Sequence, residues 1–201
     1  MILLKNHFLN DIKNMKNKIT NYLFEIGMLK KVLHNGPQVA GVKRTDTVAE
    51  HVYRASVIGF ILGELEGVSG EKVATHVIFH DNPESRIGDH NKIAQKYMDK
   101  EKAERSVLKD QLKNLPDKIA KKISKIWNDT ENQGSKEALL AYEADLLETA
   151  LQAKEYADCG HPTISWIDNV KKHLKSKSAK MILQEIYSTH FTDWWQSLKK
   201  I

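Results

Sequence analysis

The chain has 201 residues and a mass of 23.0 kDa, and 41% of its residues are hydrophobic. This length supports one well-buried core and is short for two full domains, so we expect a single domain over residues 1–201. One cysteine, Cys159, excludes an internal disulfide and a multi-cysteine zinc site, and no apolar run is long enough to span a membrane. These features lead us to expect a cytoplasmic protein.

The formal net charge of +5 is compatible with binding to nucleic acid, because basic surfaces attract phosphates. The lysines are nevertheless spread along the chain, and no aromatic residues interleave with them for base stacking. One stretch alternates lysine with isoleucine at helical spacing: Lys113, Lys118, Lys121, Lys122 and Lys125 with Ile119, Ile123 and Ile126. This pattern is typical of a solvated helix face, so nucleic acid is disfavoured as a partner.

Helix-favouring residues fill long stretches and strand signals are scarce, so the sequence predicts an all-α fold. Helices are predicted over about residues 10–33, 46–65, 71–83, 93–114, 117–128, 135–157 and 164–187. The first has an apolar stripe at intervals of three and four residues: Ile19, Leu23, Ile26, Leu29 and Leu33. Thr45 or Asp46 is expected to cap the second helix, and Pro83 should kink or stop the third.

The predicted third helix contains an unusual set of ionisable side chains in the stretch "HVIFHDNPES", residues 76–85. The spacing of His80, Asp81 and Glu84 places all three on one face of that helix. Apolar neighbours are expected to bury this face: Val73, Val77 and Ile78. Buried ionisable groups are costly unless they are paired or hold a metal ion, so this set predicts a partner.

Candidate partners come from two other predicted helices. His51 shares an inward face with Val48 and Ala55, and Asp145 lies among leucines that are expected to be buried. Neutral imidazole and carboxylate oxygens are natural ligands of divalent cations. The candidate ligands of one divalent metal ion are His51, His80, Asp81 and Asp145.

These residues and their surroundings resemble the HD-domain metal-dependent phosphohydrolases, and most closely the branch that acts as 5'-deoxynucleotidases. The resemblance rests on "TVAEHVYRAS", "HVIFHDNPES", "IGD" and "YEADLLETALQAKEY", and it covers about residues 29–186. It implies a helical bundle around one metal ion, held by His51, His80, Asp81 and Asp145, with water completing the coordination. Mn, Co, Fe, Ni or Mg suits such a set better than a closed zinc site, and the choice among them is open.

The resemblance also implies roles for residues near these ligands. Glu84 is expected to orient or deprotonate the attacking water, with Asp81 beside it in the catalytic centre. The alternative for Glu84 is a solvent-facing residue after a helix-breaking proline. Asp89 is expected near the sugar or the metal-bound waters, or else as a cap of the next helix. Glu148, one turn past Asp145, is expected to hydrogen-bond a ligand and fix its orientation.

The phosphate pocket departs from the 5'-deoxynucleotidase pattern. That branch typically has an arginine and a nearby tryptophan before the first metal histidine, and this chain has His34 and Pro37 at those positions. Candidates for binding the substrate are His34, Lys43, Arg44, Arg54 and Asp89. Arg54 is also interpretable as a surface arginine. The substrate is expected to be a small nucleotide, in a pocket that differs from that of the branch.

Two alternatives to a nucleoside monophosphate phosphatase stay open. The first is an HD hydrolase of another nucleotide phosphate ester, although guanosine-tetraphosphate hydrolases would be expected to carry "HDxxED", where this chain has "HDNPES" with Ser85. The second is a non-catalytic helical binding module with a structural metal ion. Family members are often dimers, so a homodimer is expected, and Trp194 and Trp195 are candidates for sealing the core or for a dimer contact.

Overall fold

The computed structural model describes residues 18–196 together with 198 and 199. Within these residues the fold is all-α, as predicted, and the β-structure consists of an isolated antiparallel bridge between Leu33 and Thr47. The first helix, α1, occupies residues 18–26 of the described part, and a 3-10 turn, Gly27–Lys30, follows it. The predicted start of this helix near residue 10 lies outside the described residues.

Eleven further helices follow α1 in the described residues. They are α2 Gly36–Val39, α3 Val48–Leu65, α4 Gly70–His80, α5 Glu84–Ile87, α6 Lys92–Gln95, α7 Lys100–Leu112, α8 Asp117–Asn132, α9 Lys136–Asp158, α10 Ile164–Lys171, α11 Lys177–Ser188 and α12 Asp193–Gln196. Helices α3, α4 and α9 pack together and form the centre of the bundle. None of the described helices is long and apolar enough to cross a membrane.

Several predicted boundaries are corrected by capping side chains that the apolar spacing did not reveal. The predicted helix 93–114 is two helices, because the Asp99 side chain accepts a hydrogen bond from the backbone N–H of Lys102 and starts α7. The predicted helix 164–187 is also two, and Ser176 starts the second of them. The cap of α3 is Thr47 and not Thr45 or Asp46, since Thr47 and Glu50 form a reciprocal capping box.

Helices α3 and α4 approach closely because glycines lie at their crossing. A Cβ atom at Gly63 would lie 2.7 Å from the Cα atom of Gly70, and one at Gly59 would lie 3.1 Å from Val73 Cγ1. Both helices continue toward the same end of the bundle, where α3 begins and α4 stops. The close crossing therefore fixes the relative positions of the first turn of α3 and the last turn of α4.

The core has two parts. The larger lies among α3, α4, α9, α10 and α11 and contains Leu62, Val73, Leu147, Ile167 and Leu183. The smaller lies between α7 and α8, around Trp127, and α1 covers it with Ile19 and Tyr22.

The predicted burial of some apolar positions was wrong. Ile78 is 49% exposed, whereas Val73 and Val77 are buried as expected. In the predicted stripe of the first helix, Leu23 is exposed although it lies within the regular helix. Leu33 is also exposed, and it lies beyond the end of the helix and the 3-10 turn.

The surface agrees with the predicted solvated lysines. The lysines at 113, 118, 121, 122 and 125 are exposed, and Ile123 beneath them is buried. Trp194 is 73% exposed, so it does not seal the core within the described residues. Cys159 is an exposed residue at the end of α9.

Candidate metal centre

The candidate ligands come from the ends of two helices and the middle of a third. His51 lies in the first turn of α3, His80 is the last residue of α4, and Asp81 is the residue that ends α4. The stop near Pro83 is as predicted, but it separates Glu84 from His80: a turn intervenes, and Glu84 is the first residue of α5. Asp145 lies near the middle of the long central helix α9.

The ligand atoms of these four side chains converge. His51 Nε2 lies 3.1 Å from Asp145 Oδ1 and 3.8 Å from Asp81 Oδ2. His80 Nε2 lies 3.1 Å from Asp81 Oδ2 and 3.9 Å from Asp145 Oδ1. Ligand atoms of His51, His80 and Asp81 have mutual metal-ligand spacing, and Asp145 Oδ1 lies within 3.9 Å of both imidazole Nε2 atoms. Helices α3, α4 and α9 all contribute to this cluster.

The other nitrogen of each ring is engaged by the protein. The Nδ1–H of His80 donates to the backbone carbonyl of Val77 at 2.6 Å, and a carbonyl oxygen can only accept. His51 Nδ1 pairs with Glu148 Oε2, which is buried. Both rings consequently turn Nε2, with its lone pair in the neutral form, toward the point where the carboxylates meet.

Glu148 is itself held by an arginine. Arg54 Nε and one of its terminal nitrogens donate to Glu148 Oε1 at 3.0 and 2.8 Å, while the guanidinium also pairs with Glu155. Burial disfavours the charged carboxyl of Glu148, but His51 and Arg54 outweigh it and lower its pKa. One oxygen of Glu148 thus orients His51 and the other is fixed by Arg54.

The charge balance of this cluster favours a cation at its centre. Burial disfavours a charged imidazole, yet the attraction of Asp81 outweighs it and raises the pKa of His80 to about 9. His51 also has a raised pKa, because its hydrogen bonds to Asp145 and Glu148 outweigh burial. The same interactions lower the pKa of Asp145 despite burial. Carboxylates that hold protons on neighbouring imidazoles are equally suited to hold a divalent cation.

This donor set fits a divalent metal ion. Ligand atoms bound at about 2.1 Å to one ion lie roughly 3.0–3.4 Å apart at octahedral or tetrahedral angles, near the two shorter separations found here. His34, His51 and Glu148 form a second group with metal-ligand spacing, but it would need the His51 nitrogen that pairs with Glu148. We therefore place the candidate site on the Nε2 side of His51.

Glu84 lies beside the centre and is only 2% exposed, so a solvent-facing role is wrong. Its Oε1 accepts from Lys100 Nζ at 3.0 Å, and its Oε2 is buried without a hydrogen-bond partner in the described residues. Burial and repulsion from Asp81 raise the pKa of Glu84 to about 9, although Lys100 acts in the opposite direction. A carboxyl group with one committed and one uncommitted oxygen thus borders the candidate metal site.

The loop before α2 lies close to the segment that follows α5. Asp89 Oδ2 accepts from the backbone N–H of Asn35 at 2.6 Å, and the Asn35 side chain donates to the Asp89 carbonyl. Asp89 does not cap the next helix; Asn91 caps α6. His34, beside Asn35, stacks at a tilt 4.4 Å from the His51 ring.

The sequence-predicted basic residues do not gather in one place. Lys43 and Arg44 are exposed in the segment between α2 and α3, and Arg54 lies in its ion pairs with Glu148 and Glu155. His34 and Asp89 are half-buried near the centre.

Sequence reasoning missed Lys100, Glu104 and Asn35. Lys100 and Glu104 stand one turn apart at the start of α7, where their spacing matches an ordinary surface ion pair. The contact of Lys100 with Glu84 depends on how α7 packs against α5, which helical spacing does not reveal.

The fold is an all-α bundle, and two histidines and two carboxylates meet at the junction of three of its helices. These features define the class of helical metal-binding proteins. Solved structures share this fold. A conserved hypothetical protein from Pyrococcus furiosus is 27% identical, with a TM-score of 0.72 over 85% of this chain and 99% of its own. A predicted metal-dependent phosphohydrolase from Magnetospirillum magnetotacticum has a TM-score of 0.69 over 87% of this chain and 92% of its own; at 22% identity it supports the fold alone.

The chain belongs to the HD domain family, whose model matches residues 26–187. Among curated proteins it is similar to the 5'-deoxynucleotidase HDDC2 of Dictyostelium discoideum, with 32% identity over 71% of this chain and 81% of that protein. It is also similar to the human 5'-deoxynucleotidase HDDC2, with 27% identity over 71% of this chain and 70% of that protein.

Proposed function

We propose that the protein is a metal-dependent phosphohydrolase that releases phosphate from nucleoside or deoxynucleoside 5'-monophosphates. The observation that carries this proposal is Glu84, a buried acid beside a full set of metal-ligand side chains, one of whose oxygens has no hydrogen-bond partner among the described residues. A purely structural metal site needs no such acid. The names of the similar curated proteins support the same reaction class.

The reaction can be assigned to side chains of this chain. His51, His80, Asp81 and Asp145 would hold the ion, which when bound supplies Lewis acidity toward a phosphoryl oxygen and lowers the pKa of water. The positive charge of the bound ion would also favour ionisation of Glu84 and so oppose the raised pKa of this residue in the metal-free protein. Ionised Glu84 accepts a proton through Oε2 from the water molecule as the water oxygen attacks phosphorus. The bond from phosphorus to the sugar 5'-oxygen breaks, and Glu84 returns the proton to that oxygen, so inorganic phosphate and a nucleoside leave.

The substrate lies, in this proposal, with its phosphate at the metal centre and its sugar toward Asp89. His34 occupies the position of the family's arginine beside His51, and a histidine lacks the bidentate fork of a guanidinium. Lys43 and Arg44 are candidates for supplying positive charge at the entrance of the substrate pocket. We assign Arg54 to the support of Glu148, because its guanidinium is paired with two carboxylates.

We further propose the finer properties that accompany this function. The nitrogen and oxygen ligands suit Mn, Co, Fe, Ni or Mg. Cytoplasmic location is supported by a single cysteine in the chain. A single domain over residues 1–201 and a homodimer complete the proposal.

The direct test is phosphate release from a panel of ribo- and deoxyribonucleoside 5'-monophosphates by metal-stripped protein with Mn or Co added back. The variant Glu84→Ala should lose activity by about 100-fold or more, because general acid–base catalysis contributes on that order. Glu101→Ala, an exposed glutamate on α7, is the matched control and should keep activity. No release from any monophosphate by protein that binds metal would contradict the assignment.

A second candidate is an HD hydrolase of another nucleotide phosphate ester. The replacement of the branch's arginine and tryptophan by His34 and Pro37 favours it, since both residues contribute to recognising a monophosphate in that branch. Adding nucleoside triphosphates and cyclic nucleotides to the same panel distinguishes the two. Faster metal-dependent turnover of either class than of every monophosphate would select this second candidate.

A further inference from the structure

Lys100, which is half-buried, bridges two buried glutamates near the candidate metal centre. Its Nζ lies 3.0 Å from Glu84 Oε1 and 3.1 Å from Glu104 Oε1. The Lys100 side chain is 26% exposed, whereas those of Glu84 and Glu104 are 3% and 10% exposed. An ion pair this far from solvent is held in one geometry more firmly than a surface pair.

The bridge makes the two oxygens of Glu84 different. Oε1 is committed to the ammonium group of Lys100, while Oε2 is buried and has no hydrogen-bond partner in the part of the chain that the structure describes. A carboxylate held by one oxygen cannot rotate freely, so the second oxygen keeps a fixed direction. Such fixed direction is what a proton acceptor needs, because proton transfer requires a short and aligned contact.

We propose that Lys100 is the positioning residue of Glu84: by holding Oε1, it leaves Oε2 as the atom that accepts the proton from water. This inference rests on the proposed phosphohydrolase function and deepens it. Glu104 has the complementary role of anchoring Lys100 from within the same helix. The ion pairs of Lys100 in the described residues are those with Glu84 and Glu104 and not with the candidate metal ligands, so it acts through Glu84.

The charges around Glu84 support this role. Asp81, at the end of α4, and Asp89, after α5, both disfavour ionisation of Glu84, while Lys100 on α7 favours it. A general base must be ionised in order to accept a proton, so Lys100 opposes the effect of the two aspartates. Loss of Lys100 should therefore move the acidic side of the pH–rate profile to higher pH.

A phosphate-binding role predicts a different result for the same side chain. A lysine that grips substrate lowers KM, whereas a lysine that positions a general base affects kcat and its pH dependence. Two carboxylates already surround the Lys100 ammonium, which leaves it less able to contact an anion. The two roles can thus be separated by kinetics.

The experiment compares wild type, Lys100→Met and Lys100→Arg on the best monophosphate of the panel, with Lys102→Met on the exposed side of α7 as the control. Each protein is assayed for kcat, KM and the pH–rate profile. Metal binding to stripped protein is measured separately by titration calorimetry. The double variant Lys100→Met with Glu104→Gln removes the glutamate that would otherwise be left unpaired, and it is used if the single variant does not fold.

For Lys100→Met we expect kcat to fall roughly 10- to 100-fold, a part of what a general base contributes. KM and metal affinity should stay within about twofold of wild type, and the acidic limb should move to higher pH. Lys100→Arg, which keeps the charge, should retain the acidic limb near its wild-type position.

Three outcomes would overturn the inference. A rise in KM at unchanged kcat would make Lys100 a substrate-binding residue, and unchanged kcat, KM and pH profile in Lys100→Met would make it structural. Both leave the proposed function intact, because they require an active wild type. A wild type that binds metal but releases no phosphate from the panel overturns the proposed function and this inference with it.

Discussion

At the scale of single residues, the candidate centre depends on side chains that use their two polar atoms for different purposes. His51 and His80 each use Nδ1 for a contact within the protein and turn Nε2 toward the ligand carboxylates. Glu148 divides its oxygens between His51 and Arg54. Glu84 has one oxygen on Lys100 and one that pairs with nothing in residues 18–196. This division fixes orientation before any ligand binds.

The orientation of His51 can be tested by Glu148→Gln. The amide is similar in size but carries no charge, so it holds the His51 N–H more weakly and leaves Arg54 with one carboxylate. We expect the metal dissociation constant to rise about 10- to 100-fold, as is typical when the outer partner of a ligand histidine is changed. Calorimetric metal titration measures this dissociation constant.

Glu155→Gln is the control for that variant. This variant changes the other carboxylate partner of Arg54, and the Glu155 side chain is more exposed than that of Glu148. The contact between Glu148 and His51 stays in place. The effect of Glu155→Gln on metal affinity should be small. Equal losses in the two variants would mean that the network acts through Arg54 and not through the orientation of His51.

The raised pKa of Glu84 predicts how stability depends on pH. Because burial raises its pKa to about 9 when folded, against roughly 4.3 in an unfolded chain, folding favours the protonated form. The stability that Glu84 contributes is complete below about pH 4.3 and is lost as the pH rises toward 9.

Glu84→Gln, which stays neutral, should escape this loss in metal-stripped protein. At pH 8 we expect its melting temperature to exceed that of wild type by at least about 3 °C, since 1 kcal/mol corresponds to roughly 2–4 °C at this chain length. Thermal unfolding from pH 5 to pH 9 measures the difference, with exposed Glu101→Gln as the control. Melting temperatures of wild type and Glu84→Gln that change in parallel with pH would contradict this prediction.

At the scale of elements, the site is built by helix ends that meet. Helix α3 starts at the centre because Thr47 and Glu50 cap it, and α4 stops there because Pro83 prevents its continuation. The distance between these two ends is set by the glycine crossing further along both helices.

Gly63→Ala tests that crossing. The new methyl group would meet the backbone of Gly70 at 2.7 Å, a contact that a side-chain rotation cannot relieve, so α3 and α4 must separate. We expect a destabilisation of about 1–3 kcal/mol, measured by chemical unfolding, together with weaker metal binding. Gly27→Ala is the control, since nothing lies within 4 Å of its new Cβ. Full stability of Gly63→Ala would show that the crossing tolerates separation.

At the scale of the whole molecule, the centre links three helices that are far apart in sequence. A bound ion would join the start of α3, the end of α4 and the middle of α9, all of which pack on the larger core. Without a cation, the same carboxylates and imidazoles must balance one another through shared protons. Metal binding should therefore be coupled to global stability.

Adding metal to stripped protein should raise its melting temperature. At a free metal concentration 100 times the dissociation constant the gain is about 2.7 kcal/mol, or roughly 5–11 °C for a chain of this size. Differential scanning calorimetry with and without chelator measures the shift. His51→Ala should abolish most of it, whereas His173→Ala, an exposed histidine after α10, should not. Equal shifts in both variants would place the metal elsewhere.

Much of this protein follows from local sequence. Helical spacing predicted the all-α fold and most helix positions, and the proline after the His80–Asp81 pair predicted where α4 stops. The resemblance carried by a few motifs identified the family to which the chain belongs. These features are readable because each depends on residues within one or two turns of one another.

What the tertiary structure alone decided involves residues distant in sequence. The burial of Glu84 against Lys100 and the engagement of Arg54 by Glu148 and Glu155 both depend on how helices pack. Helical spacing shows which side of a helix is apolar. It does not show which charged group of another helix pairs with a side chain on that helix. That pairing is set by packing and by the cost of burying a charge alone, and it is what makes the candidate centre specific.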